Sequence, residues 1–402
     1  MRILYFAKDA PFVNSGYGKC CREICKRLRG LGHEVAIFAT VGNRSSFLFE
    51  YEGIPVYPGT DDMFGEDIIV AHYNHFKADL LITQMDIWPI RNFNKLIEHG
   101  VAWMPYPPID FLDPPQFMLD RLAGSVHVVA MNEDAAIKLR KFGHETTTIH
   151  HGIDENIYKI LKEPKAKLKE ELGFSPDTYV IGMVQANQYM RKAWDEQLSA
   201  VALFRKMNPT IKIGLYIHTY MQTSESFYIP DLVGFHGLSD CTKYCDSYKM
   251  VIGVGEEAMA RTYNAFDLFL SATNGEGFGL PVIEAQACGV PVVATDCLSF
   301  PELVKYGSLC KVKNWIRTPA FHEKAIPDIE DLAKCIYSVY SGEWNPKEIS
   351  DTAHHLWSWD QRIIQQWMRV IDNIKPKIEA LCFTKPKVCK KFIELKKKEI
   401  LR

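Results

Sequence analysis

Residues 267–296 bring two carboxylates and a glycine-rich loop together in one strand–helix–strand unit. Glu276 lies in the loop, and Glu284 follows eight residues later, one turn into the helix. Carboxylates only accept hydrogen bonds, so such a pair suits a ligand with neighbouring hydroxyl groups. Taken singly, Glu276 is equally typical of a solvated loop, and Glu284 of a residue that stabilises a helix N-terminus. Together they favour one site that holds hydroxyl groups.

The elements of this unit also provide for an anion. Two apolar runs, 267–272 and 290–295, are typical of buried parallel strands. Pro281 suits a first helical position and Gly289 the residue after the last turn, so we expect a helix over about 281–288. The unpaired N–H groups of that helix carry the positive end of its dipole and point back into the glycine-rich loop, where an anion can bind.

The string EGFGLPVIEAQACGVPVVATD resembles the donor-site signature of the retaining glycosyltransferases of family 4. In that signature two glutamates are separated by seven residues in the same glycine-rich setting. The resemblance implies that Glu276 holds hydroxyl groups of the donor sugar and that Glu284 holds those of the ribose. It also implies that the amides of Phe278, Gly279 and Leu280 meet the diphosphate or the sugar.

A basic pair, Arg191 and Lys192, stands where a second-lobe strand gives way to a helix. The alternative is a solvated pair on a helix surface, but cations at a helix N-terminus are mildly unfavourable unless they serve an anion. In family 4 a basic pair after this strand neutralises the donor diphosphate, as a metal does in other transferases. The resemblance therefore implies this role for Lys192 and Arg191. The family's further arginine, about five residues earlier, is replaced here by Ala186 and Asn187.

The loop after the first strand contains Asn14, Ser15 and Gly16. It is similar to the glycine-containing first loop of family-4 enzymes, which implies that Gly16 approaches the donor diphosphate or the acceptor. A helix cap is the commoner explanation, because Asn and Ser are favoured N-cap residues. Ligand binding is supported by the position of the loop, since open α/β sheets bind ligands at the carboxyl ends of their strands.

Many family members also place a histidine after a middle strand of the first lobe. This chain has the string VAWMPYPPIDFLDPP there, without a histidine. Asp110 is the nearest polar candidate for the catalytic position, and Tyr106 is the second. Asp86 could also face the site, although each of the three is equally typical of a cap or turn residue.

Strand and helix patterns alternate along the whole chain, which predicts parallel sheets with helices on both faces. The expected fold class is α/β, and the resemblance implies the GT-B architecture: two Rossmann-like doubly wound domains with an interdomain cleft. The predicted domains are 1–153 for the acceptor and 154–370 for the nucleotide-sugar donor. We expect a C-terminal helical segment, 371–402, to pack back on the first domain. The resemblance is sharp over 258–304, fair over 146–200 and only architectural elsewhere.

Composition agrees with a globular protein of two domains. The chain has 402 residues, 47% hydrophobic and 24% charged, with a net charge of −2. That charge argues against nucleic-acid binding, and no apolar run reaches the ~20 residues of a membrane span. We expect a cytoplasmic protein whose eleven cysteines are reduced thiols rather than a disulfide framework. No metal site is expected, because neither the cysteines nor the paired histidines are spaced like a ligand set.

The last twenty residues carry eight basic and two acidic side chains. Such a segment could make peripheral contact with an anionic membrane, or it could be a solvated helix that packs its apolar side on the first domain. The packed helix is favoured because charge runs usually face solvent.

The sequence thus indicates an enzyme that transfers a hexose-type sugar, with retention and without a metal or other cofactor, from a nucleotide-diphosphate sugar to a hydroxyl acceptor. UDP- and GDP-sugars are the expected donors, and the acceptor could be a glycan, a lipid or a small molecule. A non-hydrolysing nucleotide-sugar epimerase is the alternative with the same fold. A catalytically inactive nucleotide-sugar-binding protein is the alternative from another class.

Overall fold

The computed structural model describes residues 1–44, 47–92, 95–189, 191–224, 226–318 and 323–399. The chain divides into two compact units. The first comprises 1–109, 114–150 and 363–402, and the second comprises 110–113 and 151–362. The division near residue 150 lies close to the predicted boundary at 153. The chain also passes into the second unit at residue 110 and returns to the first unit at residue 114.

The first unit is built on a six-stranded sheet whose order is β3-β4-β2-β1-β5-β6. All neighbours are parallel except β3 and β4, and a separate parallel pair, β7 and β8, completes the strands. Buried, mostly apolar residues fill the central strands β1 and β5, as expected of strands covered on both faces. The strands are β1 (Arg2–Asp9), β2 (Glu34–Arg44), β3 (Phe49–Tyr51), β4 (Ile54–Gly59), β5 (Leu80–Gln84), β6 (Trp103–Pro105), β7 (Val128–Ala130) and β8 (Thr146–Thr148).

Helices of the first unit connect these strands. The longest of them begins at the predicted glycine-containing loop, where the Ser15 side chain accepts a hydrogen bond from the Gly18 N–H. The helices are α1 (Gly16–Gly30), α2 (Ile69–Phe76), α3 (Lys95–Glu98), α4 (Gln116–Leu119) and α5 (Glu133–Lys141). Sequence analysis did not identify α2, β3 or β4.

The second unit contains a fully parallel sheet of order β11-β10-β9-β12-β13-β14, and an antiparallel hairpin, β15 and β16. The strand order reverses beside β9 and β12, the position at which doubly wound sheets bind ligands at their carboxyl edge. The strands are β9 (Tyr179–Val184), β10 (Ile213–His218), β11 (Thr242–Tyr244), β12 (Leu268–Ser271), β13 (Val292–Thr295), β14 (Gly307–Cys310), β15 (Val312–Arg317) and β16 (Glu323–Pro327).

Helices cover the second sheet, and the apolar face of several of them packs into one core with β9, β10 and β12. The predicted helix of the glycine-rich unit is shifted by one residue. The helices are α6 (Lys165–Glu171), α7 (Trp194–Met207), α8 (Ile229–Phe235), α9 (Ser247–Ile252), α10 (Glu256–Asn264), α11 (Leu280–Ala287), α12 (Phe300–Leu303), α13 (Ile329–Ser341) and α14 (Pro346–Trp357).

The C-terminal helix α15 (Ile364–Glu399) follows a π-helical turn at Trp359–Ile363 and belongs to the first unit. Its Lys377 ammonium donates to the Val126 carbonyl at 3.3 Å, so the helix packs against the segment that leads into β7. The side chains of the predicted membrane-contact segment, 383–402, lie outside the described residues. Within the described part of the chain, no helix combines the length and the hydropathy needed to cross a membrane.

Candidate active site

The glycine-rich loop ends at the N-terminus of α11, at the carboxyl edge of the second sheet. Gly279 is the N-cap and has a φ of 111°, in the region that only glycine adopts readily, and Pro281 follows in the first turn. The eight residues of α11 thus begin with N–H groups directed toward the loop. This backbone provides the partial positive charge that an anion requires.

Glu276 lies in that loop and contacts both members of the predicted basic pair. The Lys192 ammonium donates to Glu276 Oε1, and Arg191 Nη1 lies 3.3 Å from Glu276 Oε2. The Lys192 and Glu276 side chains are 8% and 12% exposed, so this ion pair is buried. The structure therefore brings together three of the predicted site residues, which are 85 positions apart in the sequence at most.

Burial and the neighbouring Arg191 lower the pKa of Lys192 to about 8, although the Glu276 carboxylate opposes the shift. Burial alone would raise the pKa of Glu276, but Lys192 and Arg191 outweigh it and lower that pKa below its ordinary value. Near neutral pH the cluster therefore consists of two cations and one carboxylate. Its surplus positive charge is of the sign that a diphosphate needs.

The backbone around Lys192 is held in an unusual conformation. Ala193, the N-cap of α7, has a φ of 45°, which costs a residue with a Cβ of the order of 1 kcal/mol. The buried Gln197 amide donates to the Lys192 carbonyl at 2.6 Å and accepts from the Ala272 N–H at 3.0 Å. Gln185 donates to the same carbonyl at 3.1 Å. These bonds link the basic pair to the end of β12, where the loop of Glu276 begins.

Two further hydrogen bonds fix the glycine-rich loop itself. The Asn274 N–H donates to the Arg191 carbonyl at 2.9 Å. The Ser299 hydroxyl lies 2.6 Å from the Phe278 carbonyl and 3.3 Å from the Glu276 carbonyl. Gln197 and Ser299 were not predicted as site residues, because an isolated Gln or Ser belongs to no sequence motif.

Glu284 lies on α11 with 7% of its surface exposed. Its Oε2 accepts a hydrogen bond from the Tyr263 hydroxyl at 2.9 Å, which fixes the carboxylate against α10. A carboxylate has about four acceptor positions, and the Tyr263 hydroxyl uses one of them. The hydrogen bond from Tyr263 thus holds the Glu284 carboxylate in one orientation on α11.

Asp110 belongs to the second unit and forms an ion pair with Lys324 of β16, at 2.7 Å. Its backbone packs against Gly275, where an added Cβ would lie 2.7 Å from the Asp110 carbonyl oxygen. Its carboxylate also acts electrostatically on Lys192 and Glu276, raising the pKa of both. Asp110 is therefore part of the same cluster of charges.

The other candidates belong to the first unit. Tyr106 is completely buried, donates to the Ile149 carbonyl at 2.9 Å and packs edge-on against Trp367, so it is a core residue. Asp86 accepts from the Tyr17 hydroxyl at 3.2 Å. Gly16 opens α1, immediately after the Ser15 cap, as the alternative explanation of that loop predicted.

The paired histidines and the cysteines make structural contacts. His72 and His75 lie on α2 and contact the Pro58 carbonyl and the Tyr57 hydroxyl of β4. His151 packs edge-on against the Phe278 ring at 4.8 Å. Among the described residues, the cysteines form no disulfide and no group of three His, Cys, Asp or Glu side chains is arranged to hold a metal ion.

Comparison with known proteins agrees with this geometry. The family model "Glycosyl transferases group 1" matches residues 232–341, which include the whole glycine-rich unit. Relatives of the chain include the N-acetyl-alpha-D-glucosaminyl L-malate synthase of Bacillus anthracis, 24% identical over 48% of this chain and 47% of that protein. They also include the lipopolysaccharide core biosynthesis mannosyltransferase LpsB of Rhizobium meliloti, 31% identical over 40% of this chain and 44% of that protein. The chain thus spans less than half the length of these two curated relatives.

Solved structures show the fold over nearly the whole chain. The sucrose-phosphate synthase of Thermosynechococcus elongatus has a TM-score of 0.73 at 16% identity and covers 92% of this chain and 98% of its own. The Anabaena protein Alr3699/HepE, solved in complex with UDP-glucose, has a TM-score of 0.65 at 18% identity, with coverage of 93% and 100%. The predicted GT-B fold is confirmed.

Proposed function

We propose that this protein is a group 1, retaining glycosyltransferase that moves a hexose-type sugar from a nucleotide-diphosphate sugar to a hydroxyl acceptor. One observation carries the proposal: the buried contact of Lys192 and Arg191 with Glu276, in front of the α11 N-terminus. Carboxylate, cations and oriented amides are the three kinds of group that a sugar diphosphate requires. Two relatives that match its sequence are named as a mannosyltransferase and as an N-acetyl-alpha-D-glucosaminyl L-malate synthase.

In this mechanism the bond between the anomeric carbon and the diphosphate breaks through a state with oxocarbenium-like charge. Lys192, Arg191 and the amides at the start of α11 stabilise the negative charge that grows on the departing phosphate. Such preorganised electrostatic stabilisation is commonly the largest contribution to catalysis. The basic pair provides the charge that a metal provides in other transferases, so we expect turnover without a divalent ion.

Each remaining site residue has a defined part in the proposal. Glu276 exchanges part of its contact with Lys192 for the hydroxyl groups of the donor sugar, and Glu284 accepts from the ribose. The amides of Phe278 to Leu280 meet the diphosphate. Asp110 stands in the charged cluster as the candidate for the position that a histidine occupies in many family members.

UDP-sugars are the first donors to test, because structural neighbours were solved with UDP-glucose and with UDP-2-fluoro glucose. The relatives act on different acceptors by name, including malate and a lipopolysaccharide core. The acceptor is therefore best sought after the donor is known.

The test is a thermal-shift screen of the purified protein against UDP-, GDP- and ADP-sugars, followed by donor turnover and acceptor screening with and without EDTA. A ligand at a hundredfold excess over its Kd should stabilise the protein by about 2.7 kcal/mol. NMR of the product should show the anomeric configuration of the donor, and EDTA should leave the rate unchanged.

The matched control is Lys169→Met. Lys169 is a buried lysine of the same unit, 2.6 Å from Asp267, at the amino ends of β9 and β12 and hence on the far edge of the sheet. Lys192→Met should lose the donor-induced shift and Lys169→Met should keep it. Stabilisation without turnover of any sugar would identify a binding protein, and conversion of one UDP-sugar into its epimer would identify the epimerase.

A further inference from the structure

The hairpin of β15 and β16 carries a buried lysine toward the glycine-rich loop. The Lys324 side chain is 6% exposed, which is rare for an ammonium group unless it is paired. Its neighbour Ala325 is fully buried and packs with Cys297 and Leu298, the residues that follow β13. The hairpin is therefore part of the second unit's core at this point.

Lys324 makes two contacts with one residue. Its Nζ donates to Asp110 Oδ2 at 2.7 Å and to the Asp110 carbonyl at 2.8 Å. Asp110 belongs to a four-residue segment, 110–113, that packs with the second unit although the chain on either side of it belongs to the first. This double contact fixes both the side chain and the backbone of Asp110.

The same hairpin holds the loop that carries Glu276. The Ala325 N–H donates to the Asn274 carbonyl at 3.0 Å. A Cβ on Gly275 would meet the Asp110 carbonyl at 2.7 Å and the Lys324 Cδ at 3.6 Å, so the backbone of the loop lies directly on both. Hairpin, loop and segment 110–113 are thus packed as one body.

Charge gives this arrangement a consequence for the site. Asp110 acts on both Lys192 and Glu276, and it attracts the first and repels the second. Removing one partner of a buried ion pair leaves the other as an uncompensated charge, which the surrounding structure cannot easily accommodate. Without the Lys324 ammonium, the Asp110 carboxylate would compete with Glu276 for Lys192.

We infer that Lys324 is a positioning residue of the transferase site: it holds Asp110 and the glycine-rich loop in register, so that Lys192 and Glu276 remain available to the donor. The inference rests on the proposed function for its catalytic consequence. The structural part of the inference, that Lys324 links the hairpin to Asp110 and the loop, rests only on the contacts described above.

The experiment compares Lys324→Met and Lys324→Arg with the wild type and with Lys169→Met, the buried-lysine control. Hydrogen–deuterium exchange is measured by peptide, and donor turnover is measured as kcat and KM. In Lys324→Met we expect faster exchange in residues 110–113 and 273–279 and a fall in kcat of ~10²-fold, the typical effect of displacing a site by about 1 Å. The donor KM should change by a much smaller factor, since the ammonium of Lys324 bonds Asp110 and acts on the site through it. Lys324→Arg should retain more activity than Lys324→Met, because it keeps the charge.

Should Lys324→Met fail to fold, the double variant Lys324→Met/Asp110→Asn takes its place in the exchange measurement, since it removes both charges together. Unchanged exchange in 110–113 and 273–279, or an equal change in Lys169→Met, would overturn the inference. If Lys324→Met exchanges faster in these segments but the wild type neither binds nor turns over any donor, the structural role of Lys324 is supported and the proposed function is refuted. Faster exchange with undiminished kcat would refute the positioning role.

Discussion

The pKa of Lys192 leads to a quantitative prediction for donor binding. Burial and Arg191 lower that pKa from 10.5 to about 8, which corresponds to about 3 kcal/mol against the charged form. In the proposed mechanism, the form of the protein that binds the donor phosphate is the one with Lys192 protonated. Below pH 8 this form predominates, and above pH 8 it decreases tenfold for each pH unit.

The size of the effect follows from this equilibrium. For a pKa of 8, about nine-tenths of the protein carries the charged lysine at pH 7 and about one-tenth at pH 9. The apparent Kd for a UDP-sugar should therefore increase about tenfold between pH 7 and pH 9, because the competent fraction decreases by that factor. A lowered lysine pKa weakens donor binding as the pH rises, because the lysine then loses its charge; it does not weaken donor binding at lower pH.

Isothermal titration calorimetry of the UDP-sugar that stabilises the protein best, from pH 6 to pH 10, measures this dependence. Lys192→Arg is the deciding variant, since a guanidinium stays charged throughout that range. Its Kd should be independent of pH up to 10, whatever its absolute value. A wild-type Kd that does not change up to pH 10, or an alkaline loss that persists in Lys192→Arg, would refute the assignment of this lysine to the phosphate.

Three other changes test the site. Glu284→Ala should weaken donor binding by ~1–3 kcal/mol through lost hydrogen bonds. Tyr263→Phe removes only the hydroxyl that donates to Glu284, so it should weaken donor binding less. Calorimetry that ranks the two variants in the opposite order would contradict the ribose role of Glu284. Gly275→Ala should disrupt the loop, because its Cβ would lie 2.7 Å from the Asp110 carbonyl; a melting temperature and kcat equal to those of the wild type would show that the contact is not tight. Ser299→Ala should lower kcat with little loss of stability, as the hydroxyl bonds two carbonyls of the loop; a fall in melting temperature without a change in kcat would show a purely structural role.

The sequence predicted the sheets best where burial is complete on both faces. β9, for example, begins and ends with the apolar run YVIGMV, whose four central residues are buried. β3 and the hairpin of β15 and β16 were missed. Their residues alternate less regularly, and β15 carries polar residues at Lys313 and Asn314 that obscure the period of two.

The site was predictable where its chemistry is local in sequence. Glu276, Glu284 and the α11 N-terminus lie within one short unit, so their spacing carries the signal. The contact between Lys324 and Asp110 joins residues 214 positions apart, and no motif around Lys324 points to Asp110 as its partner. Long-range pairs of this kind are set by the packing of the sheet and the hairpin, which no local pattern encodes.

The order in which the chain contributes to its two units has a consequence for biosynthesis. The first unit takes its last helix from residues after 362, and the second takes residues 110–113 from within the first. A ribosome therefore releases every residue of the second unit before the first unit can bury the apolar face of α15. We expect the N-terminal half to stay incompletely packed during translation, and no single cut in the gene yields two halves that each contain a complete core.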